Sequence, residues 1–546
     1  MSSAFSGKRL LLLLIPIYTI VFSCIFLKKF SPFYLSQPDP CYAYLFNGMN
    51  LASGNLEVGH IDHPGTTAQC FASVVIFIKH MFSSSGLPLY QDVILNAESY
   101  LYTCSIVLIV LLISVLYYTG TYVLRYTGNI GVAILFQLTP LINTNIIQRG
   151  IMLEPESVLI IVMVFFTAYL FLRAPEINQR PNKPINTKTV ILFALFSGFL
   201  IATKYTCFPI IILILFILGK SKQRLVYLGL VIVSFFFFII PALSKFKNMY
   251  HWVWSLFTHD EIYGTGKERI INPSQFVNNF KGIFVADTVF TAIYCVITLA
   301  FLVTIISRIR KKEPIPFLRT ISGMWLAITV LIIAVAKHSD FHYFIFAECC
   351  FPFGLYLSYK ILSASFIPFI SGYRKHEKTV LYSFLAAFSI FLVIEKIRYI
   401  PLHYPKSFGI NKYIDEHKDA PLVISVGSGL ECERIEPSLF FGYIFSGNLQ
   451  TKYAEFLDKR YPNSYIYLNG PQELWHWNRK VEVNDFLSKN KTVLMYLKSY
   501  DDTAMVNIKH KFEGWSASGM SGLYDEQELF KNVETSQSIC LINKVK

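Results

Sequence analysis

Charged residues are scarce in this chain of 546 residues, since only 15% are Asp, Glu, Lys or Arg. Soluble globular proteins carry roughly 25% charged residues, so the composition excludes an ordinary soluble protein. Hydrophobic residues make up 53% of the sequence, and the mean hydropathy is +0.46. The chain is therefore expected to spend much of its length in a lipid bilayer.

Zinc-binding cysteine motifs and repeats are also missing. The ten cysteines include no C-x-x-C pair, which argues against a zinc knuckle. Cys41 with Cys70, and Cys432 with Cys540, would lie on the oxidising side of the membrane, and the sequence leaves both pairings open. No internal repeat or low-complexity tract stands out.

Positive charge exceeds negative charge, with 49 Lys and Arg against 35 Asp and Glu. In a soluble protein this excess would suggest a nucleic-acid partner. Here the basic residues lie mostly in short loops between apolar runs, where they orient the chain in the membrane. Nucleic acid is therefore not an expected partner.

Long apolar runs predict the membrane spans, because a helix needs roughly 20 apolar residues to cross the hydrocarbon core. The run 189–219 is interrupted at Thr203-Lys204-Tyr205 and at Pro209, so it predicts two short spans. Together with the uninterrupted runs this gives about eleven transmembrane helices. The uninterrupted runs are 9–28, 98–118, 128–146, 154–173, 225–243, 287–307, 320–337, 341–360 and 379–396.

The basic loops predict the orientation. With the N-terminus in the cytoplasm, the connections 119–127, 174–188, 220–224, 308–319 and 361–378 are cytoplasmic and rich in Lys and Arg. Lys28 and Lys29 oppose this pattern and are outnumbered. The first run has no small-residue cleavage site, so it is expected to remain as the first helix.

The long polar segments then all lie on the exoplasmic side. We expect a transmembrane domain over 1–399 with exoplasmic loops 30–97 and 244–286, and a soluble domain over 400–546. In the latter, the short apolar runs 421–426, 492–497 and 540–543 alternate with helical patterns at 450–460 and 482–488, which predicts a small α/β domain. It contains no phosphate-binding glycine loop and no nucleophile elbow. The expected location is a bacterial inner membrane, with the C-terminal domain in the periplasm.

The first exoplasmic loop contains two candidate acids. Asp39 lies in the turn Pro38-Asp39-Pro40, ahead of a predicted helix from Tyr42 to Ser53. An acid at that place either caps the helix or accepts a proton from a hydroxyl group at the membrane surface. Asp62 is the second choice, because His63-Pro64-Gly65 resembles a turn that opens the next helix.

Glu154 and Glu156 lie at the outer edge of the predicted fourth span, after Gln148-Arg149-Gly150. Acids and Pro155 suit a first helical turn. Two acids and an Arg at the membrane edge exceed what a helix start requires. We therefore treat both glutamates as candidate catalytic residues.

Cations mark a candidate anion site. Lys204 interrupts an apolar run, and a buried ammonium needs an anion or a route to water; the alternative is that it snorkels to the interface. The short turn Lys337-His338-Ser339-Asp340-Phe341-His342-Tyr343 gathers further cationic side chains that suit a phosphate group. The loop 244–286 adds His259 and Tyr263. Its His259-Asp260-Glu261 run suits a metal only weakly, and nothing in the sequence requires a metal or cofactor.

The order of these motifs resembles the integral-membrane GT-C glycosyltransferases, especially the group of protein O-mannosyltransferases and the bacterial enzymes that add aminoarabinose to lipid A. The resemblance covers roughly residues 1–400. It rests on Asp39 with Tyr42, His63-Pro64-Gly65, Glu154, Gly198 to Tyr205, the His259 to Gly266 loop and the Lys337 to Tyr343 turn.

The resemblance implies transfer of a sugar from a polyprenyl-phosphate donor to a glycan, lipid or protein acceptor at the exoplasmic face. Asp39 would be the base, and Glu154 or Glu156 the second acid. Lys204 would face the donor phosphate, with further donor contacts from Lys337, His338, His342, Tyr343, His63, His259 and Tyr263. The first loop lacks the adjacent Asp-Glu pair of the protein mannosyltransferases, and the second acid is Glu in place of Asp.

Two other classes remain open at this stage. A transporter or lipid flippase would place paired broken helices and charges near the bilayer midplane, and this chain has one candidate break, at Lys204. A membrane anchor for a binding domain at 400–546 would leave Asp39 and Glu154 without a function.

Overall fold

The computed structural model describes residues 9–29, 34, 39–179, 184–260, 264, 266–311, 317–337, 341–366, 390–392, 394, 410–426, 434–468, 473–498, 524–532 and 537–544. The chain divides into two compact units. The first comprises Met1–Cys24, Ile61–Cys70 and Cys104–Leu402, and the second comprises Ile25–His60, Phe71–Thr103 and His403–Lys546.

Helices dominate the described residues. In chain order the α-helices before residue 400 are α1 (Leu14–Lys29), α2 (Cys41–Ala52), α3 (Thr66–Met81), α4 (Leu89–Leu95), α5 (Ala97–Thr127), α6 (Ile130–Gln137), α7 (Thr139–Ile142), α8 (Thr144–Ile151), α9 (Pro155–Gln179), α10 (Thr187–Thr203), α11 (Ile210–Ile217), α12 (Ser221–Phe238), α13 (Phe246–Thr258), α14 (Pro273–Ala286), α15 (Thr288–Lys311), α16 (Leu318–Lys337) and α17 (Ile345–Phe366).

Among the described residues, seven helices are long and apolar enough to cross a membrane. This confirms the prediction of a multi-pass helical membrane protein. The seven segments are Arg9–Lys28, Ala97–Thr127, Pro155–Arg173, Ser221–Phe238, Thr288–Arg310, Leu318–Lys337 and His342–Ala364.

The predicted span 128–146 differs from the structure, which divides it among α6, α7 and α8. Pro140 lies in the first turn of α7, where its ring and missing N–H cannot continue the preceding helix. Asn143 is extended, and its side chain donates to Asp287 and Glu348, each at 2.8 Å. Apolar composition alone did not reveal these interruptions. The predicted span 379–396 lies outside the described residues except for 390–392 and 394.

The run 189–219 is broken where the sequence indicates. Helix α10 ends at Thr203, Lys204 is extended with φ −156° and ψ 130°, and a 3₁₀ turn covers Tyr205–Cys207. Helix α11 then starts behind Pro209, which cannot donate a backbone hydrogen bond to the preceding turn. The break removes Lys204 from helical geometry and directs the chain into a second short apolar helix.

Small residues allow close helix packing in the first unit. Helix α10 packs against α12, and a Cβ atom at Gly198 would collide with Ser234 and lie 2.7 Å from the backbone nitrogen of Phe235. Close approach at small residues is a common means of helix association in membranes. Helix α11 packs on α16, α9 and α15 pack on α17, and α16 packs on α17, so the broken run belongs to one helix bundle.

A seven-stranded sheet forms the core of the second unit. Its order is β4-β3-β2-β1-β5-β7-β6, with β1 parallel to both β2 and β5 and the other pairs antiparallel. The strands are β1 (Leu422–Val426), β2 (Ser464–Leu468), β3 (Glu473–His476), β4 (Arg479–Val481), β5 (Thr492–Lys498), β6 (Tyr524–Asn532) and β7 (Gln537–Lys544), and the helices α18 (Ile410–Glu416), α19 (Ile435–Ile444), α20 (Gln450–Arg460) and α21 (Val483–Lys489).

The alternation of strands and helices confirms the predicted small sheet domain. Val423, Val493 and Met495 of the central strands pack with Phe486 of α21 in one buried cluster. The turn between β3 and β4 contains Trp477, whose φ of 49° is unusual for a residue other than glycine. Its carbonyl accepts from Tyr443 at 2.6 Å and its indole donates to Tyr461 at 3.2 Å, so both neighbours hold the turn.

Helix α2 belongs to this second unit and is joined to α19 and α20 by amide side chains. Asn47 donates to the carbonyl of Phe445 at 2.9 Å, and Asn50 donates to that of Ser446 at 2.8 Å. Tyr453 donates its hydroxyl to Asn50 at 2.8 Å. Both asparagines are fully buried, so the first polar loop and the sheet domain share one folded core.

Replacing Asn50 with Leu is expected to lower the free energy of unfolding of the second unit by about 2–4 kcal/mol. The change leaves a buried carbonyl and a buried hydroxyl without this partner, and each such loss costs about 1–3 kcal/mol. Urea unfolding followed by tryptophan fluorescence measures the change. Asn55→Leu is the matched control, because Asn55 donates to Asn448 at an exposed position; an equal loss in both variants would contradict the prediction.

Candidate functional site

A buried ion pair lies at the break between α10 and α11. The Nζ of Lys204 donates to the Oε1 of Glu156, which lies in the first turn of α9. Lys204 is 1% exposed and Glu156 is 3% exposed. Removing two charges from water is costly unless they compensate each other. The pair therefore explains how the chain holds an ammonium group between apolar helices.

Two residues of the Lys337–Tyr343 turn lie close to the ion pair of Lys204 and Glu156. The Nε2 of His342 is 3.7 Å from the Oε1 of Glu156. The Nζ of Lys204 is 4.9 Å from the centre of the Tyr343 ring, within the range of a cation–π interaction. Glu156 and His342, which are 186 positions apart in the sequence, thus share one small site, because α9, the α10 break and the turn before α17 converge.

Glu154 forms its ion pair with a different residue from Glu156. Its Oε2 accepts from the Nη1 of Arg149 at 2.7 Å, and its carbonyl accepts from the hydroxyl of Ser157 at 2.7 Å. Glu154 is fully buried, so the Arg149 guanidinium provides its charge compensation. The two glutamates lie on either side of Pro155, which places two ionic contacts at the start of α9.

A cavity of about 550 Å³ opens beside the ion pair, wholly within the first unit. Such a volume falls in the usual range for small-molecule sites, roughly 300–1,000 Å³. Its wall is mainly apolar and aromatic. The polar side chains in the wall are two lysines and several His, Thr and Tyr residues that can form hydrogen bonds. The lining residues are His63, Lys204, Tyr205, Thr206, Phe208, Trp252, Val253, Leu256, Phe257, Ile270, Ile271, Phe276, Leu331, Ile333, Ala334, Val335, Lys337 and Tyr343.

Lys337 lies at the C-terminal end of α16 and lines the same cavity. Its Nζ donates to the carbonyls of Leu256 at 2.6 Å and Phe257 at 2.7 Å. These carbonyls belong to the last turn of α13, where a cation is favourable. Lys337 therefore connects two walls of the cavity, a structural contact that the sequence did not indicate.

His63 packs against the aromatic residues of the cavity wall. Its ring meets Trp252 edge-on with centroids 5.8 Å apart, and Trp252 stacks with Tyr205 at 6.1 Å. His63 is also close enough to Glu156 for an electrostatic interaction. The structure therefore brings His63, Glu156, Lys204, Lys337, His342 and Tyr343 to one region.

His259 is not among the residues that line the cavity. Its Nδ1 is 2.9 Å from the hydroxyl of Thr258, and its backbone forms a bridge with Glu268. The adjacent Asp260 accepts from Arg269 at 2.6 and 3.0 Å. Hydrogen bonds from Arg269 hold the pKa of the Asp260 carboxyl below its usual value. These contacts fold the loop after α13, which carries part of the cavity wall.

Asp39 lies in the second unit, in a turn one residue before Pro40, the N-cap of α2. Its side chain is exposed, whereas Tyr42 is fully buried. Helix α2 spans Cys41–Ala52, which confirms the predicted helix after this turn. Cys41 is buried, whereas Cys70 is exposed. His338, Tyr263 and Cys432 lie outside the described residues.

A metal site is not apparent in the described part of the chain, where no group of three or more His, Cys, Asp or Glu side chains could hold an ion.

The sequence interpretation missed most of the cavity. Trp252 fits an ordinary interfacial aromatic belt, and Ile270, Phe276 and Leu331 carry no signal in the sequence. The glycine at 264, with φ +67°, and the break at Lys204 were the usable indications of an irregular region here.

Comparisons with protein-family models, curated proteins and solved structures return no match for this chain. The function must therefore be inferred from the site itself.

Proposed function

We propose that this protein is a glycosyltransferase that moves a sugar from a polyprenyl-phosphate donor to a hydroxyl acceptor at the exoplasmic membrane face. One observation carries the proposal: a cavity of about 550 Å³ that combines an apolar, aromatic wall with the cations Lys204 and Lys337. An amphiphilic ligand with a long apolar tail and an anionic head fits this combination better than a fully polar or fully apolar ligand.

Lys204 is the proposed partner of the donor phosphate. An ammonium group has three N–H donors, and Glu156 accepts one of them, which leaves capacity for phosphate oxygens. Hydrogen bonds between charged groups are about twice as strong as neutral ones. The departing phosphate gains negative charge during transfer, so a fixed cation beside it stabilises the transition state more than the ground state.

The other candidate residues receive roles in the same proposal. Asp39 is the base that takes the proton of the acceptor hydroxyl, and Asp62 is the second choice. Glu156 holds Lys204 in position, and Glu154 holds Arg149. The remaining donor contacts are assigned to Lys337, His338, His342, Tyr343, His63 and Tyr263, whereas His259 supports the loop beside the cavity. In-line attack opposite the phosphate would invert the anomeric carbon, which NMR comparison of donor and product anomers would test.

The finer topology is part of the proposal. The seven long helices and the two short apolar segments Thr187–Thr203 and Tyr205–Ile217 supply nine of the proposed eleven spans. The remaining two are assigned to the α6–α8 region and to 379–396. The N-terminus is placed in the cytoplasm, and the C-terminal domain on the periplasmic side of a bacterial inner membrane. Proteolysis of right-side-out vesicles, with an epitope at each terminus, tests this arrangement.

The function is tested by incubating the purified full-length protein with a panel of polyprenyl-phosphate sugars and candidate glycan, lipid and peptide acceptors. We expect release of polyprenyl phosphate together with a glycosylated acceptor for at least one donor. The same sugars attached to nucleoside diphosphates should not react, because they lack the apolar tail. Reaction with a nucleotide sugar alone would contradict the proposal.

Filling the cavity is expected to weaken donor binding. Ala334→Trp projects a large ring from α16 into the cavity, so the affinity for farnesyl phosphate should fall about tenfold, equivalent to about 1.4 kcal/mol. Val296→Trp is the matched control, because Val296 is partly exposed on α15 and does not line the cavity. Binding is measured by titration in detergent, with farnesol as the ligand that lacks phosphate. Equal weakening in the two variants would contradict the assigned tail position.

The second candidate function is a transporter or lipid flippase, which the helix break at Lys204 favours. Broken helices with a charged residue near the site are common in transporters. Liposomes containing a fluorescent polyprenyl-phosphate sugar distinguish the two functions. Movement of intact lipid between leaflets, without sugar transfer to any acceptor, would support the transporter.

A further inference from the structure

One face of α20 in the second unit carries a group of cations. Lys452, Phe456 and Lys459 recur at intervals of four and three residues, so they lie on the same side of the helix. Arg460 adds a further cation in the last turn, and Glu455 is the acid on this face. The lysines and the arginine are exposed, whereas Tyr453 and Leu457 on the other side are buried.

An aromatic residue from α4 completes this face. The ring of Tyr90 packs edge-on with Phe456 at 5.8 Å and stacks with Tyr453 at 6.0 Å. The Nζ of Lys452 lies 4.3 Å from the centre of the Tyr90 ring, and the amide of Gln91 donates to the Tyr90 hydroxyl at 3.0 Å. The hydroxyl of Tyr453 donates a hydrogen bond to Asn50, which fixes the ring on which Tyr90 stacks.

Between α4 and α20 lies a pocket of about 380 Å³, which belongs entirely to the second unit. Its walls are Tyr90, Gln91, Lys452, Glu455, Phe456, Lys459 and Arg460. The volume is at the lower end of the range for small-molecule sites, roughly 300–1,000 Å³. The pocket therefore combines aromatic rings, an amide and an acid with a surplus of positive charge.

We propose that this pocket binds an anionic sugar, meaning a sugar ring that bears a carboxylate or a phosphate group. The exposed cations suit the anionic group, since Lys and Arg form strong hydrogen bonds with carboxylate and phosphate. The rings of Tyr90 and Phe456 offer apolar faces for the C–H surface of the sugar, and Gln91 and Glu455 can bond its hydroxyls. A bare phosphate ion would use only the cations. This proposal is independent of the proposed transfer reaction.

Binding is tested with the full-length protein in detergent, by titration calorimetry with four probes. Glucose 6-phosphate and glucuronate should bind, whereas glucose and inorganic phosphate should each bind about tenfold more weakly, because each makes only half of the contacts. A tenfold change corresponds to about 1.4 kcal/mol. Inorganic phosphate that binds as tightly as glucose 6-phosphate would overturn the proposal, as would the failure of both anionic sugars to bind.

The double variant Lys459→Gln/Arg460→Gln tests whether the anionic sugar binds in this pocket. It should weaken glucuronate binding about tenfold or more, because it removes two charged hydrogen-bond donors that suit a carboxylate. Lys489→Gln is the matched control, since Lys489 is also exposed in the last turn of a helix, α21. Tyr90→Leu should weaken the sugars while leaving inorganic phosphate unchanged.

Two further outcomes would overturn the assignment. One is equal weakening of sugar binding by Lys489→Gln and by the double variant. The other is binding of phosphatidylglycerol vesicles that depends on Lys459 and Arg460 while neither anionic sugar competes, which would identify a membrane contact instead. Thermal unfolding of each variant accompanies the titrations, so that a change in binding is separated from loss of the fold.

Discussion

Replacing Lys204 with Met is expected to abolish sugar transfer and to destabilise the first unit. The substitution leaves the Glu156 carboxylate buried without its ammonium partner. Removing one member of a buried ion pair costs about 3–5 kcal/mol, because the remaining charge has no compensation from water. The proposed phosphate contact is lost at the same time. Thermal unfolding in detergent and the transfer assay measure the two effects separately.

A double variant distinguishes the two effects. Lys204→Met/Glu156→Leu removes both charges, and replacement of a buried pair by apolar residues is often neutral or stabilising. Stability should therefore return toward that of the wild type, whereas transfer should remain absent. Lys188→Met is the control, because Lys188 is exposed in the first turn of the same helix, α10. Recovery of transfer in the double variant would remove Lys204 from the proposed mechanism.

Asp39→Asn is expected to lower the rate of transfer by about 10²–10⁴-fold, the usual contribution of a positioned general base. The amide keeps the shape of the carboxylate and cannot accept the proton of the acceptor hydroxyl. Because Asp39 is exposed, the free energy of unfolding should change little. The measurement is the single-turnover rate with saturating donor and acceptor.

Asp62→Asn is the matched control for Asp39, since both acids belong to the first polar loop of the sequence. If Asp39 is the base, farnesyl phosphate binding should be unchanged in Asp39→Asn, and Asp62→Asn should retain most of the rate. A normal rate in Asp39→Asn with a collapse in Asp62→Asn would transfer the role to Asp62. Normal rates in both variants would eliminate the proposed base.

The sequence predicted the long membrane helices well, because each depends only on local apolar composition. The break after Thr203 was predicted for the same reason, since Lys204 and Pro209 each oppose a continuous apolar helix. The run 128–146 is not one continuous helix. Its interruption at Asn143 depends on Asp287 and Glu348, partners that are 144 and 205 residues away and leave no local trace.

The candidate site was likewise predicted only in part, because its residues are visible in the sequence and their contacts are not. Charged residues in apolar surroundings were conspicuous, and Glu156, Lys204, His342 and Tyr343 were singled out before their proximity was known. Their pairing was not predictable, since it requires the packing of α9, the α10 break and the turn before α17. The contact of Lys337 with the last carbonyls of α13 was hidden for a related reason, because backbone acceptors have no sequence signature.

In the second unit, the central strands β1, β5 and β7 were predicted from their β-branched runs. The strands β2, β3, β4 and β6 were missed, because they are short or rich in aromatic and charged residues. The bonds from Asn47 and Asn50 of α2 to the turn after α19 also lie beyond sequence reasoning, since nearly 400 residues separate the partners.

The pairing of Glu156 with Lys204 has a consequence for how the chain enters the membrane. Lys204 lies between two short apolar helices, and an ammonium group at the membrane is costly without a partner, so residues 187–217 are a poor insertion signal by themselves. Synthesis delivers α9, with its carboxylate, before this segment leaves the ribosome. The earlier helix can then neutralise the later one at the translocon, and a truncated reporter that lacks α9 should insert 187–217 less efficiently.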